Sequence, residues 1–330
     1  MARIARTTSR PRNPCTTRAM TLNFAQNDAV DSRPVVYLYD TFHSEAIAYC
    51  KQLFRTVGPE DPEYGQWRQR AKYLLIRKSP FTAEDVASCA NLRAIGKQGV
   101  GIDKIDTKAC EARGIKILNT PGVNAGAVAE LVLALVMTLA REIPTIYARL
   151  HQGEVVPREA CSGLILRKKT VGIIGMGNIG EAVARLFHGA FDAHIIAYGR
   201  SQPESAWSDI PHTRASTVEE VLRAADVLSV HVPLAFQTRD LITYRELSMM
   251  KPTAILINTA RGGIVNEDDL ARGLRDNLIW AAGLDCHEQD PPIVSTPHIG
   301  AATTQTQQET AIAAVQRLYD YVQSLGDSYL

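Results

Sequence analysis

From residue 34 onward, short apolar blocks alternate with longer stretches in which apolar side chains recur every three to four positions. Blocks of the first kind read as buried strands, and the longer stretches read as helices with one buried face. Strands are predicted at 35–39, 73–76, 92–95 and 115–118, and helices over 43–54, 83–89 and 107–113. Gly114 follows the last of these helices and suits the left-handed closing position. Strand and helix alternating at this period imply a parallel sheet covered by helices, so residues 34 to about 120 form one α/β unit.

An alanine- and leucine-rich helical pattern then runs over 126–150, with Pro144 near its end. It bridges domains, forms a dimer face, or is a plain core helix. Residues 151–168 are polar enough to be a connection. A second unit starts at Lys169, with strands at 171–174, 194–198, 227–232, 254–258 and 279–284 and helices over 218–225, 244–250 and 267–275. Successive units of this kind make a doubly wound sheet, which binds a nucleotide at the carboxyl ends of its strands. The final helix, 304–324, has no strand after it and either closes the second unit or returns to the first.

The first strand of the second unit runs into Gly175-Met176-Gly177-Asn178-Ile179-Gly180 and then a helix. Gly175 permits the tight turn, Gly177 lets a pyrophosphate approach the backbone, and Gly180 allows close helix–strand packing. Free N–H groups at the start of the helix near Asn178 face the phosphates. The strand at 194–198 ends in Tyr198-Gly199-Arg200-Ser201, without the carboxylate that holds a ribose 2′-hydroxyl. A fixed cation and a hydroxyl suit a 2′-phosphate instead, so the expected cofactor is NADP, with NAD the alternative.

Composition narrows the partners. The chain has 330 residues, 45% hydrophobic, with a formal net charge of +1, so no global field argues for nucleic acid or an anionic membrane. Its six cysteines form no C-x-x-C pair, which suggests neither a zinc site nor a disulfide framework and fits a reducing compartment, the cytoplasm. The richest apolar run, 125–140, is interrupted by Glu130 and too short to span a bilayer. Residues 1–27 carry Arg3, Arg6, Arg10, Arg12 and Arg18 and no acidic residue, which resembles a mitochondrial transit peptide. Pro11 and Pro14 interrupt any helix there, and the other reading is a disordered tail over 1–33.

Chemistry gathers at strand ends. Asn258-Thr259-Ala260-Arg261-Gly262-Gly263 closes the fourth strand of the second unit. A guanidinium there can clamp a carboxylate and polarise an adjacent carbonyl. Asp290 and His298 follow, and a histidine coupled to a carboxylate exchanges protons near neutral pH. Arginine, acid and histidine after a nucleotide motif suit hydride transfer at a 2-oxo or 2-hydroxy acid.

Together with Gly99-Val100-Gly101-Ile102-Asp103, Asn119-Thr120-Pro121, His231-Val232-Pro233-Leu234, Gly283-Leu284-Asp285 and Thr296-Pro297-His298-Ile299-Gly300, these motifs resemble the D-isomer-specific 2-hydroxyacid dehydrogenase family. The resemblance covers nearly everything from Pro34 to about Leu325. It implies two doubly wound parallel-sheet α/β domains. A Rossmann cofactor domain (123–298) would be inserted into a flavodoxin-like substrate domain (34–122 and 299–330), with the site in the cleft and homodimers formed through the cofactor domains.

By the same resemblance Arg261 binds and polarises the 2-oxo acid, His298 is the acid/base, and Asp290 takes the position of a glutamate that orients the histidine. Backbone amides around Arg77, Lys78, Val100 and Gly101 would receive the substrate carboxylate. Thr259, Ala260 and Asp285 would line the nicotinamide and its ribose, with Pro233, Thr238 and Gly300 also around the cofactor.

Three departures stand out: Asp290 is a methylene shorter than glutamate, the segment from 290 to 298 is shorter than the family's proline-rich loop, and Gly199-Arg200-Ser201 looks like the NADP-preferring glyoxylate/hydroxypyruvate reductases. The expected activity is NAD(P)H-dependent reduction of a small 2-oxo acid. Alternatives are a phosphoglycerate dehydrogenase, with Lys78, Lys97 and Lys104 as a phosphate clamp or as solvated surface lysines, and a non-catalytic nucleotide-binding partner protein.

Overall fold

Two parallel sheets carry the chain in the computed structural model, which describes residues 31–289 and 293–326. The arginine-rich tail through residue 30 and the acid position Asp290 therefore lie outside the described residues.

The first sheet comprises β1 (Val35–Leu38), β2 (Arg55–Val57), β3 (Tyr73–Ile76), β4 (Ala94–Lys97) and β5 (Lys116–Leu118), in the order β2-β1-β3-β4-β5. This is the flavodoxin-like order. The second comprises β6 (Thr170–Ile174), β7 (His194–Tyr198), β8 (Thr213–Arg214), β9 (Val227–Val230), β10 (Ile255–Asn258), β11 (Ala281–Leu284) and β12 (Val294–Ser295), in the order β12-β11-β10-β9-β6-β7-β8. Its direction of winding reverses between β6 and β9, the Rossmann switch point.

Central strands are apolar on both faces because helices cover both. Leu74, Leu75, Ile76 and Ile95 in one sheet, and Ile173, Leu228, Ile255 and Leu256 in the other, are at most 1% exposed. The short edge strands β2, β8 and β12 were not legible as strands, since two or three residues carry no period of their own. β4 lies two residues further along than the apolar pattern 92–95 suggests, because Gly96 and Lys97 continue the pairing with β3.

The pattern over 126–150 is two helices, Ala125–Ala140 and Ile143–His151, which corrects the expected single one. Glu142 takes a left-handed conformation (φ 51°), and Pro144 sits in the first turn of the second helix, where its missing N–H is harmless.

The last helix, Thr304–Ser324, returns to the first sheet. Ala314, Val315, Leu318 and Val322 pack with Val36, Leu38, Phe54 and Leu75. Burying each of the three larger side chains contributes up to about 1.5–3 kcal/mol, enough to decide where the helix docks. Gly96 makes the approach possible: a Cβ there would lie 3.2 Å from the carbonyl oxygen of Ala314 and 2.7 Å from Leu75. Among the described residues no helix is long and apolar enough to cross a membrane.

Candidate active site

The glycine turn is built as its residues require. Gly175 has φ +112°, donates its N–H to Tyr198 O at 2.8 Å, and passes so close to β9 that a Cβ would lie 2.4 Å from His231 O. Gly180 meets the turn itself, at 2.2 Å from Gly175 O. Gly177, the residue before the helix Asn178–Phe191, differs: a Cβ there would meet no protein atom within 4 Å.

Among the described residues, the amides of Met176, Gly177, Asn178, Ile179 and Gly180 donate to no protein acceptor. Consecutive free donors at a helix start form an anion cradle. Two buried polar atoms at neighbouring strand ends also lack a protein partner, Thr259 Oγ1 and His231 Nδ1. Burial pulls the His231 imidazole down to about 3, so it stays neutral, and it exchanges its one hydrogen bond with Ser229 Oγ at 2.8 Å. These features fit a nicotinamide dinucleotide lying across the carboxyl ends of the sheet.

Beyond β7, the Arg214 guanidinium donates to the carbonyls of Gly199, Gln202 and Pro203 and fixes the loop that carries Arg200 and Ser201. Both of those side chains are exposed. Thr238 Oγ1 donates to Pro233 O at 2.6 Å and accepts from Ala235 N, closing the turn after β9.

At the end of β10, buried Asn258 shapes the backbone. Its Nδ2 donates to Arg261 O at 2.8 Å, and its Oδ1 accepts from Ala260 N at 3.0 Å. The Arg261 side chain crosses to the first sheet. Nε and Nη2 both donate to Asp103 Oδ1, at 3.1 and 3.0 Å, and Nη1 donates to Ala260 O at 2.6 Å. The guanidinium lies against Gly101, where a Cβ would be 1.9 Å from Nη2. Burial opposes ionisation of Asp103, but the adjacent guanidinium outweighs it and holds the carboxyl below its usual range.

His298 has φ +56°, a strained choice for a residue other than glycine. Asp285 imposes it. That buried carboxylate accepts from Thr296 Oγ1, Ile299 N and Gly300 N at 2.7–2.9 Å, and its carbonyl accepts from His298 N at 2.8 Å. Asp285, expected beside the ribose, thus has its oxygens committed to the 296–300 segment that presents the histidine. Burial lowers the His298 pKa, and the charge of Arg261 lowers it further against the opposing pull of Asp285 and Asp103.

The structure divides the residues expected to receive a substrate carboxylate. Arg77 N and Lys78 N already donate to Asp40 Oδ2, at 2.7 and 3.2 Å, so these amides are engaged. Val100 and Gly101 N–H groups donate to no protein acceptor among the described residues, and Gly101 lies against the Arg261 guanidinium. Asp40 itself is buried, and although burial opposes it, the Ser79 hydroxyl and the loop amides hold it ionised.

Lys97 corrects the surface reading of that lysine. It is 7% exposed, donates to Gln98 O at 2.5 Å, and burial pulls it down to about 8, against the attraction of Asp103 and Asp40. Lys78 and Lys104 are exposed. Asp103 and Asn258 both stand inside motifs without an expected role of their own; only their contacts reveal what they do.

Residues 133–305 match the family model for the NAD-binding domain of D-isomer-specific 2-hydroxyacid dehydrogenases. A hydroxypyruvate reductase of Thermotoga maritima is 37% identical over 260 residues, 74% of this chain and 83% of that protein. A D-3-phosphoglycerate dehydrogenase of Methanocaldococcus jannaschii is 32% identical over 297 residues, 86% of this chain but 56% of that longer protein. The crystal structure of a glyoxylate reductase from Paecilomyes thermophila superposes with a TM-score of 0.76 at 26% identity, covering 86% of this chain and 94% of that one.

Proposed function

The chain belongs to the D-isomer-specific 2-hydroxyacid dehydrogenase family, and we propose that it is an NADPH-preferring reductase of a small 2-oxo acid, with glyoxylate or hydroxypyruvate as substrate. The observation that carries this reading is the Arg261 guanidinium lying against Gly101, beside backbone amides of Val100 and Gly101 that have no protein acceptor among the described residues.

A nicotinamide dinucleotide held by the amides of Met176 to Gly180 would supply the hydride for reduction at C2 of the substrate. Val100 and Gly101 amides hold the carboxylate, and Arg261 draws charge onto the keto oxygen as it becomes an alkoxide. His298 gives its proton to that oxygen, leaving a neutral imidazole and a hydroxyl; in the oxidative direction it takes the proton back. Asp285 acts through the backbone, holding His298 in its strained conformation. Asp290, outside the described residues, is proposed as the carboxylate behind His298 by resemblance alone.

NADPH preference is supported by the exposed Arg200 and Ser201 on a loop pinned by Arg214, with no carboxylate in the turn. A homodimer is supported by the helix Ile143–His151, which buries no residue and leaves Ile143, Tyr147 and Leu150 more than half exposed along one face. The domain boundaries at 122 and 298 fit the return of the last helix to the first sheet.

The test is Arg261→Ala: turnover of a 2-oxo acid should be lost while cofactor binding persists. Loss of cofactor binding instead would reassign the arginine. A second reading, oxidation of 3-phosphoglycerate, is favoured by the buried Lys97 ammonium, near enough to Asp103 and Arg261 to feel their charges. Turnover of 3-phosphoglycerate that collapses in Lys97→Met would establish it.

A further inference from the structure

We propose that Asp103 is a stand-in for a substrate oxygen: it occupies the Nε–Nη2 edge of Arg261 in the free cleft and has to release that edge before a 2-oxo acid can bind.

A guanidinium has five N–H donors, and a planar anion is recognised through one paired edge. In Arg261 that edge is closed by a single oxygen, Asp103 Oδ1, while Nη1 is tied to Ala260 O. An entering carbonyl or carboxylate oxygen competes with Asp103 for the same donors. The arginine has little room to meet it elsewhere, because Nη2 fills the space over Gly101 and the Arg261 side chain is 29% exposed. Asp103 has room: its side chain is 51% exposed and can turn to water.

The carboxylate also lowers the cleft's positive potential. It lies in the field of Lys97 as well as Arg261, and it acts on His298. Neutralising it therefore weakens its hold on the anion edge and leaves the remaining cations less compensated. Because the pair is part-exposed, the expected gain in anion affinity is about two- to fivefold. This inference rests on the reading of Arg261 as the substrate anchor.

The experiment measures the dissociation constant of oxalate, a non-reducible mimic of a 2-oxo acid, on the NADPH-loaded enzyme by calorimetry, alongside kcat/KM for glyoxylate. Asp103→Asn keeps the acceptor oxygen and removes the charge, and Asp103→Ala removes both. The proposal expects oxalate to bind more tightly and kcat/KM to rise in Asp103→Asn, and tighter oxalate in Asp103→Ala as well. Unchanged or weaker oxalate binding, or a fall in kcat/KM that Asn rescues relative to Ala, would overturn it and make Asp103 a residue that positions Arg261. Arg261→Gln separates the two claims: oxalate binding lost there upholds the anchor, whereas oxalate binding retained defeats the anchor reading itself.

Discussion

Gly177→Ala should abolish tight cofactor binding while leaving the fold intact. The backbone there has φ −87° and ψ −172°, open to any residue, and the added methyl would meet no protein atom within 4 Å. Folding therefore loses nothing, and replacing glycine at a compatible position stabilises by roughly 0.4–1 kcal/mol. A pyrophosphate seated on the free amides of Met176 to Gly180 would meet that methyl. Displacing it from one or more charge-assisted hydrogen bonds costs about 1.5–3 kcal/mol, or about 10- to 150-fold in Kd. Gly180→Ala is the contrast: its Cβ would lie 2.2 Å from Gly175 O, a backbone atom that cannot step aside, so that variant should lose stability as well. The assay is titration of NADPH by fluorescence together with thermal melting of both variants. A well-folded Gly177→Ala protein with wild-type Kd would refute the cradle.

Other expectations follow from the same contacts. Gly101→Ala puts a methyl 1.9 Å from Arg261 Nη2, so kcat/KM should fall by about 10- to 100-fold with cofactor binding retained; an unaltered kcat/KM would show that the guanidinium acts elsewhere. Burial and the Arg261 charge push the His298 pKa downward, so 2-oxo acid reduction, which needs the imidazolium, should fall as pH rises while the reverse oxidation rises, and neutralising Arg261 should move the midpoint upward. A midpoint that stays put or falls in Arg261→Gln would contradict this field. Arg200→Ala should raise the Kd of NADPH while leaving that of NADH nearly unchanged, and an equal effect on both would remove the 2′-phosphate role. Burial pulls Lys97 down to about 8, so if its ammonium receives a substrate phosphate, 3-phosphoglycerate binding should weaken as pH rises through that value, and the dependence should vanish in Lys97→Met.

Much of this architecture was legible because both sheets are buried on two faces, so their central strands read as unbroken apolar blocks. The glycine turn was equally plain, its spacing reflecting close contacts of Gly175 and Gly180 that the structure shows. What the chain hides is partnership between distant segments. Nothing local says that Arg77 and Lys78 amides are taken by Asp40, that Lys97 is buried at its strand end, or that Asp285 closes on Thr296, Ile299 and Gly300. The Arg261–Asp103 pair joins residues 158 positions apart, beyond the reach of any periodicity. The split near Glu142 depended on a left-handed residue that need not be glycine, which composition does not mark.

The most direct test of hydride transfer is oxidation of NADPH, with NADH in parallel, by the purified protein offered glyoxylate, hydroxypyruvate, pyruvate and a bulkier aromatic 2-oxo acid. Turnover of glyoxylate or hydroxypyruvate, faster with NADPH, is the expected result. Tight cofactor binding with no turnover of any of the four would contradict it.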